Sequence, residues 1–189
     1  DLDWLKKTGI VALIQDEAKK GTPVVGICGG FQMLGEEISD PYETEEGGTM
    51  WGMGLLPVRT ELKENKTRCL KTGPINKVGG ILSCLSGLSC EGYEIHMGKT
   101  CFSSQEAADD ILISNGKNVY GTYLHGIFDK KEIAGAVLRV LSEKKGTVLK
   151  GRLLDNSEYK ELQYDKMADI LRQHINMNEV YNMLREAKI

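Results

Sequence analysis

The apolar and polar positions of the chain fall into stretches of helical period and stretches of strand length. After DLDWLKKTG, where Asp1 or Asp3 can cap a helix, Ile10, Leu13, Ile14 and Ala18 recur at helical spacing until Gly21 closes the run, predicting a helix up to that glycine. TPVVGIC predicts a short strand, and the amphipathic stretch from Phe31 a second helix. This alternation predicts an α/β domain with a mostly parallel central sheet flanked by helices. Such a domain seldom opens on a helix, so further strands are expected upstream of Asp1. SDPYETEEGG (39–48) reads as an acidic, turn-rich loop, and GMGLLPVRTEL (52–62) as a loop feeding a strand. YEIHMG and ILIS predict short strands; residues 69–92, rich in Gly, Ser and Cys, lack a clear period and read as short strands or loops. NVYGTYLH alternates, with Val119, Gly121, Tyr123 and His125 on one face. Ile133, Ala136, Val137, Val140 and Leu141 then form a helical stripe that ends at Gly146. From Asn156 a helical tail is expected to about residue 189: Met167, Ile170, Leu171 and Ile175 share one face, and Val180, Met183 and Leu184 begin a last short helix.

Composition narrows the picture without redirecting it. The 189 residues, 41% hydrophobic and 27% charged, suit one globular domain. A net charge of −3, with dispersed Lys and Arg, supplies no electrostatic footprint for nucleic acid or an anionic membrane. No apolar run approaches the roughly 18 residues that span a bilayer, and no basic-then-apolar leader opens the chain; the expectation is a soluble, cytoplasmic protein. Cys28, Cys69, Cys84, Cys90 and Cys101 are odd in number and irregularly spaced, which points to reduced thiols. His96, His125 and His174 lie far apart and no CxxC pair occurs, so no metal site is expected.

The candidate chemistry sits at the first strand-to-helix corner. Gly26-Ile27-Cys28-Gly29-Gly30 has the spacing of a nucleophile elbow, in which flanking glycines let strand and helix approach a strained central residue. A thiol at a helix start would also meet unpaired N–H groups that favour the thiolate, and the Gly29 N–H could serve as an oxyanion donor. The same five residues equally fit a buried cysteine in a turn. A thiol nucleophile needs a base. His125, after an alternating strand and before Gly126, is the better-placed histidine; His96 lies beside Glu94 in a strand-like stretch, and His174, in the terminal helix, reads as structural.

GICGGFQMLG, with Gln32 four residues after the cysteine, resembles the nucleophile motif of class I (triad-type) glutamine amidotransferases. Within that class, EGYEIHMGKT, GTYLHGIFD and YDKMADILRQHINMNEVYNML resemble the C-terminal amidotransferase domain of the cobyric acid synthases, in order and over almost the full chain. The resemblance implies a flavodoxin-like fold with its first strands upstream of Asp1, so that residues 1–189 form an N-terminally truncated glutaminase domain. It implies hydrolysis of glutamine by Cys28 as nucleophile and His125 as base, with Gly29 as an oxyanion donor and Gln32, together with Glu94, near the substrate. It further implies a partner ligase domain upstream in the same polypeptide, which takes the ammonia and uses ATP and Mg²⁺ to amidate adenosylcobyrinic acid a,c-diamide in cobalamin biosynthesis.

Two departures qualify the likeness. Most triad-type amidotransferases carry Glu two residues after the histidine, where this chain has Ile127; the pair without the acid is usual for this subfamily, and Asp129, Glu94 or a partner domain are the candidates to orient His125. A second oxyanion donor is expected from an upstream loop, so these residues alone are expected to be weakly active or inactive. Arg59 and Arg68, considered for the glutamine carboxylate, read better as solvated surface arginines. The rival readings are the glutaminase subunit of a cell-wall muramyl ligase, a non-catalytic docking module on the same fold, and a cysteine protease or thiol hydrolase.

Overall fold

The computed structural model describes residues 1–104 and 106–187, in two units, 1–150 and 151–189. The first unit opens with two helices, α1 (Leu2–Lys7) and α2 (Ile10–Lys19), where the periodicity predicted one. The break lies at Gly9, whose φ of 78° is left-handed. The Thr8 and Gly9 N–H groups close α1 onto the Trp4 and Lys6 carbonyls, and glycine is the residue that makes the left-handed step at little cost.

There follow β1 (Val24–Ile27), α3 (Gly29–Leu34), β2 (Glu37–Asp40), β3 (Gly48–Trp51) and β4 (Val58–Pro74). A 3-10 helix (Gly80–Leu85) leads into β5 (Ser89–Phe102), β6 (Ile113–Ser114), β7 (Val119–Thr122) and α4 (Lys131–Lys145). The strands form two sheets, ordered β1-β7-β6 and β3-β2-β4-β5. The α/β class is as expected, but the pairing is mixed rather than mostly parallel. Only β1/β7 and β2/β4 run parallel; β2/β3, β4/β5 and β6/β7 are antiparallel. Connection length explains β2/β3 and β6/β7, because a parallel pair needs a crossover of a dozen or more residues. Loop 41–47 and turn 115–118 are too short for one and return the chain antiparallel. Asn115 builds its turn by accepting the N–H groups of Lys117, Asn118 and Val119 on its side-chain oxygen. Residues 69–92, expected as short strands or loops, hold the end of β4, the start of β5 and between them a loop with the 3-10 helix; the β4/β5 register shifts between Leu62 and Thr67.

Strand β7 is buried along its whole length, with a core on each side. Val119 and Tyr123 join Leu2, Val11, Phe31 and Leu56 in one cluster; Tyr120 and Leu124 join Leu82, Leu112, Ile127 and Ile133 in the other. Alternation therefore sorts the side chains correctly, although both faces are covered. Gly121 admits the first core: a Cβ there would lie 2.0 Å from Phe31 Cδ2. Helix α4 ends as predicted at Gly146, with φ 65°.

The second unit comprises α5 (Asn156–His174) and α6 (Met177–Glu186). The Glu158 carboxylate accepts the Asp155 N–H at 3.3 Å, and the Asn176 side chain caps α6 by accepting the Glu179 N–H. Met167, Ile170, Leu171 and Ile175, the predicted apolar face, are exposed, as is His174. The last two residues of the predicted tail, 188 and 189, lie outside the described residues. Among the described residues no helix is long and apolar enough to cross a membrane.

Candidate active site

Strand β1 brings Cys28 to its place. The ladder with β7 aligns Ile27 with Thr122, and the Cys28 N–H extends it by donating to the Thr122 carbonyl at 2.8 Å. The chain then turns: Cys28 sits at φ 54°, ψ −115°, and its carbonyl accepts the first helical bond of α3, from the Gln32 N–H at 3.1 Å. Among the described residues, Cys28 and Glu43 are the non-glycine positions with positive φ. Such a backbone costs about 1–3 kcal/mol and persists only where its surroundings over-determine it.

Here the over-determination is visible. A Cβ on Gly26 would come within 2.6 Å of Leu34 Cδ1 and 2.7 Å of the Gly30 carbonyl, so strand and helix close on each other only across a glycine. Gly30 contributes differently from what the motif suggests. A Cβ there would meet nothing within 4 Å; it is the Gly30 backbone that crowds Gly26. The half-buried Cys28 thiol donates to the Ile95 carbonyl of β5, with Sγ 3.4 Å from the oxygen.

His125 lies three residues beyond β7 and is held by the same strand β5. The Tyr93 N–H donates to the His125 carbonyl at 3.2 Å, and the His125 N–H donates back to the Tyr93 carbonyl at 2.9 Å. Their rings stack, with centroids 4.9 Å apart and planes 6° off parallel. Gly92 makes the approach possible, since a Cβ there would stand 2.1 Å from the His125 carbonyl oxygen. The backbone groups of residues 93 and 95 point to the same edge of β5, so that edge meets His125 at one position and Cys28 two residues further on.

Gln32 follows one turn after Cys28 and donates through Nε2 to the Tyr123 hydroxyl at 3.2 Å. That hydroxyl also bonds to Thr100, which bonds to Thr60 at 2.7 Å. The Tyr123 ring lies against His96, centroids 3.7 Å apart, and edge-on to Phe31 at 5.0 Å. Burial pushes the Tyr123 phenol above its ordinary pKa, against the pull of its bonds to Thr100 and Gln32. Gly98 leaves room for the network, because a Cβ there would fall 2.4 Å from Gln32 Nε2.

Glu94 belongs to the group around His96. Its carboxylate takes an ion pair from Lys71 at 2.9 Å, lies 3.8 Å from His96 Nε2, and accepts the Cys69 thiol at 3.8 Å. It occupies the opposite parity of β5 from Tyr93, so the structure groups it with His96 and Lys71. His96 donates through Nδ1 to the Gly98 carbonyl at 2.8 Å, which leaves Nε2 facing Glu94. Asp129, the other acid considered for His125, folds back over Gly126: its N–H donates to the Gly126 carbonyl at 2.9 Å. Arg59 is paired with Glu36 at 3.0 Å, and Arg68 is exposed on the hairpin. No group of three or more His, Cys, Asp or Glu able to hold a metal ion occurs among the described residues.

A cavity of about 450 Å³ opens beside α3, lined in part by Gly29, Gln32, Met33, Ile38 and Asp40. Its acidic wall is built by Asp40. Burial opposes the charge on this carboxyl, yet the N–H groups of Glu45 and Thr44, the Thr44 hydroxyl and the Gly47 N–H together hold its pKa at about 2. Sequence reasoning missed Tyr93, Gly92 and the Ile95 carbonyl. The one available signal was the glycine preceding an alternating YEIH.

A family model for CobB/CobQ-like glutamine amidotransferase domains matches residues 1–133. The chain belongs to that family. Among its relatives are cobyric acid synthases from Lachnoclostridium phytofermentans, 41% identical, Ruminiclostridium cellulolyticum, 42% identical, and Citrobacter koseri, 36% identical. Each alignment covers 98% of this chain but 39–40% of the relative, so the chain spans about two fifths of the length of these proteins.

Proposed function

We propose that this chain is the glutaminase part of a cobyric acid synthase, the C-terminal domain of a polypeptide whose ligase domain lies upstream. The observation that carries the reading is the placement of Cys28 and His125. Parallel pairing of β1 with β7 delivers both to one end of the small sheet, where β5 receives the thiol at Ile95 and the histidine at Tyr93. In this reading Cys28 Sγ attacks the side-chain amide carbon of glutamine, and the thiol proton passes through His125 to the departing ammonia. Water then cleaves the glutamyl thioester, releasing glutamate and restoring the thiol. The Gly29 N–H supplies one oxyanion donor, and Gln32, fixed by Tyr123 at the cavity wall, contacts the substrate. Glu94, held by Lys71, supports the strand that carries this site.

This chemistry calls on no metal or cofactor in the domain. ATP and Mg²⁺ serve the upstream ligase, which consumes the ammonia to amidate adenosylcobyrinic acid a,c-diamide. Five free thiols and a reaction that uses glutamine and ATP fit a cytoplasmic setting. The test is a diazo-ketone analogue of glutamine, with the modified residue mapped by mass spectrometry. Selective labelling of Cys28, blocked by excess glutamine and lost in Cys28→Ser, is expected; labelling spread over the other cysteines and indifferent to glutamine would contradict the assignment.

A further inference from the structure

Triad enzymes orient the catalytic histidine with an acid two residues later, and this chain cannot do so from position 127. The Ile127 side chain is 1% exposed and packed among Leu124, Leu112 and Ile133. A carboxylate there would be buried in hydrocarbon. Nor does β7 hold His125, because its ladder ends at Thr122.

We propose that Tyr93 is the positioning residue for the His125 imidazole, acting by ring stacking on a backbone platform formed with Gly92. The proposal rests on the reading of His125 as the base that serves Cys28. Three independent contacts support it. The two backbone bonds between Tyr93 and His125 fix the histidine's Cα beside β5. The bare Cα of Gly92 sets the spacing, since any side chain would collide with the His125 carbonyl. The parallel rings then limit rotation of the imidazole about its side-chain bonds. Tyr93 has no competing task in either apolar cluster; it is 46% exposed and offers its ring face to the histidine.

Stacking suits a proton carrier better than a hydrogen bond would in one respect. It constrains the ring through its face and leaves both edge nitrogens free to take and return a proton. The π face also attracts the imidazolium formed when the thiol is deprotonated. Because the Ile95 carbonyl points to the same edge of β5 as the Tyr93 backbone groups and accepts the Cys28 thiol, one rigid strand sets both reacting groups in a common frame.

The experiment is glutaminase kinetics on the full-length protein, combined with NMR of the His125 ring. Tyr93→Leu is expected to lower kcat about 10-fold or more with KM changed by no more than about twofold, because orientation and not substrate binding is lost. Tyr93→Phe, which keeps the ring, is expected to recover most of the rate. The His125 Cε1 proton should carry an upfield ring-current shift in the unmutated protein and in Tyr93→Phe, and lose it in Tyr93→Leu. Wild-type kcat in Tyr93→Leu, with His125→Ala inactive, would overturn the positioning role. Tyr93→Phe as slow as Tyr93→Leu would do the same, by assigning the effect to the hydroxyl. An unshifted His125 resonance in the unmutated protein would overturn the stack without recourse to any variant's folding. A fully active His125→Ala would instead refute the base assignment on which the proposal stands.

Discussion

Cys28 holds an unfavourable backbone because Gly26 lets α3 close over β1, and this asymmetry between the two motif glycines can be tested. Gly26→Ala forces a Cβ to within 2.7 Å of the Gly30 backbone and is expected to cost about 1–3 kcal/mol of stability, as overpacking does. Gly30→Ala meets nothing within 4 Å and is expected to leave thermal melting unchanged or slightly raised. Equal losses in the two variants would refute the account of the elbow. Asp40 makes a second local claim. Its native pKa of about 2 lies below the ordinary 3.8, so between those values the unfolded chain binds more protons than the folded one. Its contribution to stability is therefore complete above pH 4 and fades as pH falls toward 2. Asp40→Asn should remove that part of the acid dependence of the melting temperature between pH 5 and 2; an unaltered slope would show that the loop carboxylate is not the group involved. Cys28, His125 and Gln32 were legible as candidates because short motifs carry them. Tyr93 was not, because nothing in a single strand announces which ring across the sheet it will face.

Strand β5 is the element on which the proposed site depends, and it was read only in part. YEIHMG was recognised as strand, but its extension from Ser89 to Phe102 and its pairing with β4 were hidden in a Gly- and Ser-rich stretch without period. Long-range antiparallel pairing leaves little local trace. The predicted helix over the first 20 residues failed for the opposite reason: the apolar spacing continued past Gly9 while the backbone did not. Gly92→Ala is the element-level test. It should displace His125 from β5 and reduce glutaminase activity about 10-fold or more, while far-ultraviolet circular dichroism stays native; full activity would mean that the β5 platform does not govern the histidine.

The two units explain their parts of the sequence unequally. Residues 1–150 contain both apolar clusters and every candidate site residue, whereas α5 and α6 bury none of their side chains. The α/β class was legible from alternation of helix and strand; the mixed strand directions were not, since in β2/β3 and β6/β7 they follow from loop lengths that the predicted element boundaries left open, and in β4/β5 from long-range pairing. The cobyric acid synthases this chain resembles are some two and a half times its length, and the proposed division of labour makes a demand on a protein of that full length. The most direct measurement is amidation of adenosylcobyrinic acid a,c-diamide by the full-length protein with ATP and Mg²⁺, supplied with either glutamine or ammonium. Cys28→Ser should abolish the glutamine-dependent reaction and leave the ammonium-dependent reaction intact. Continued use of glutamine by that variant would contradict the central claim that this domain releases ammonia through Cys28.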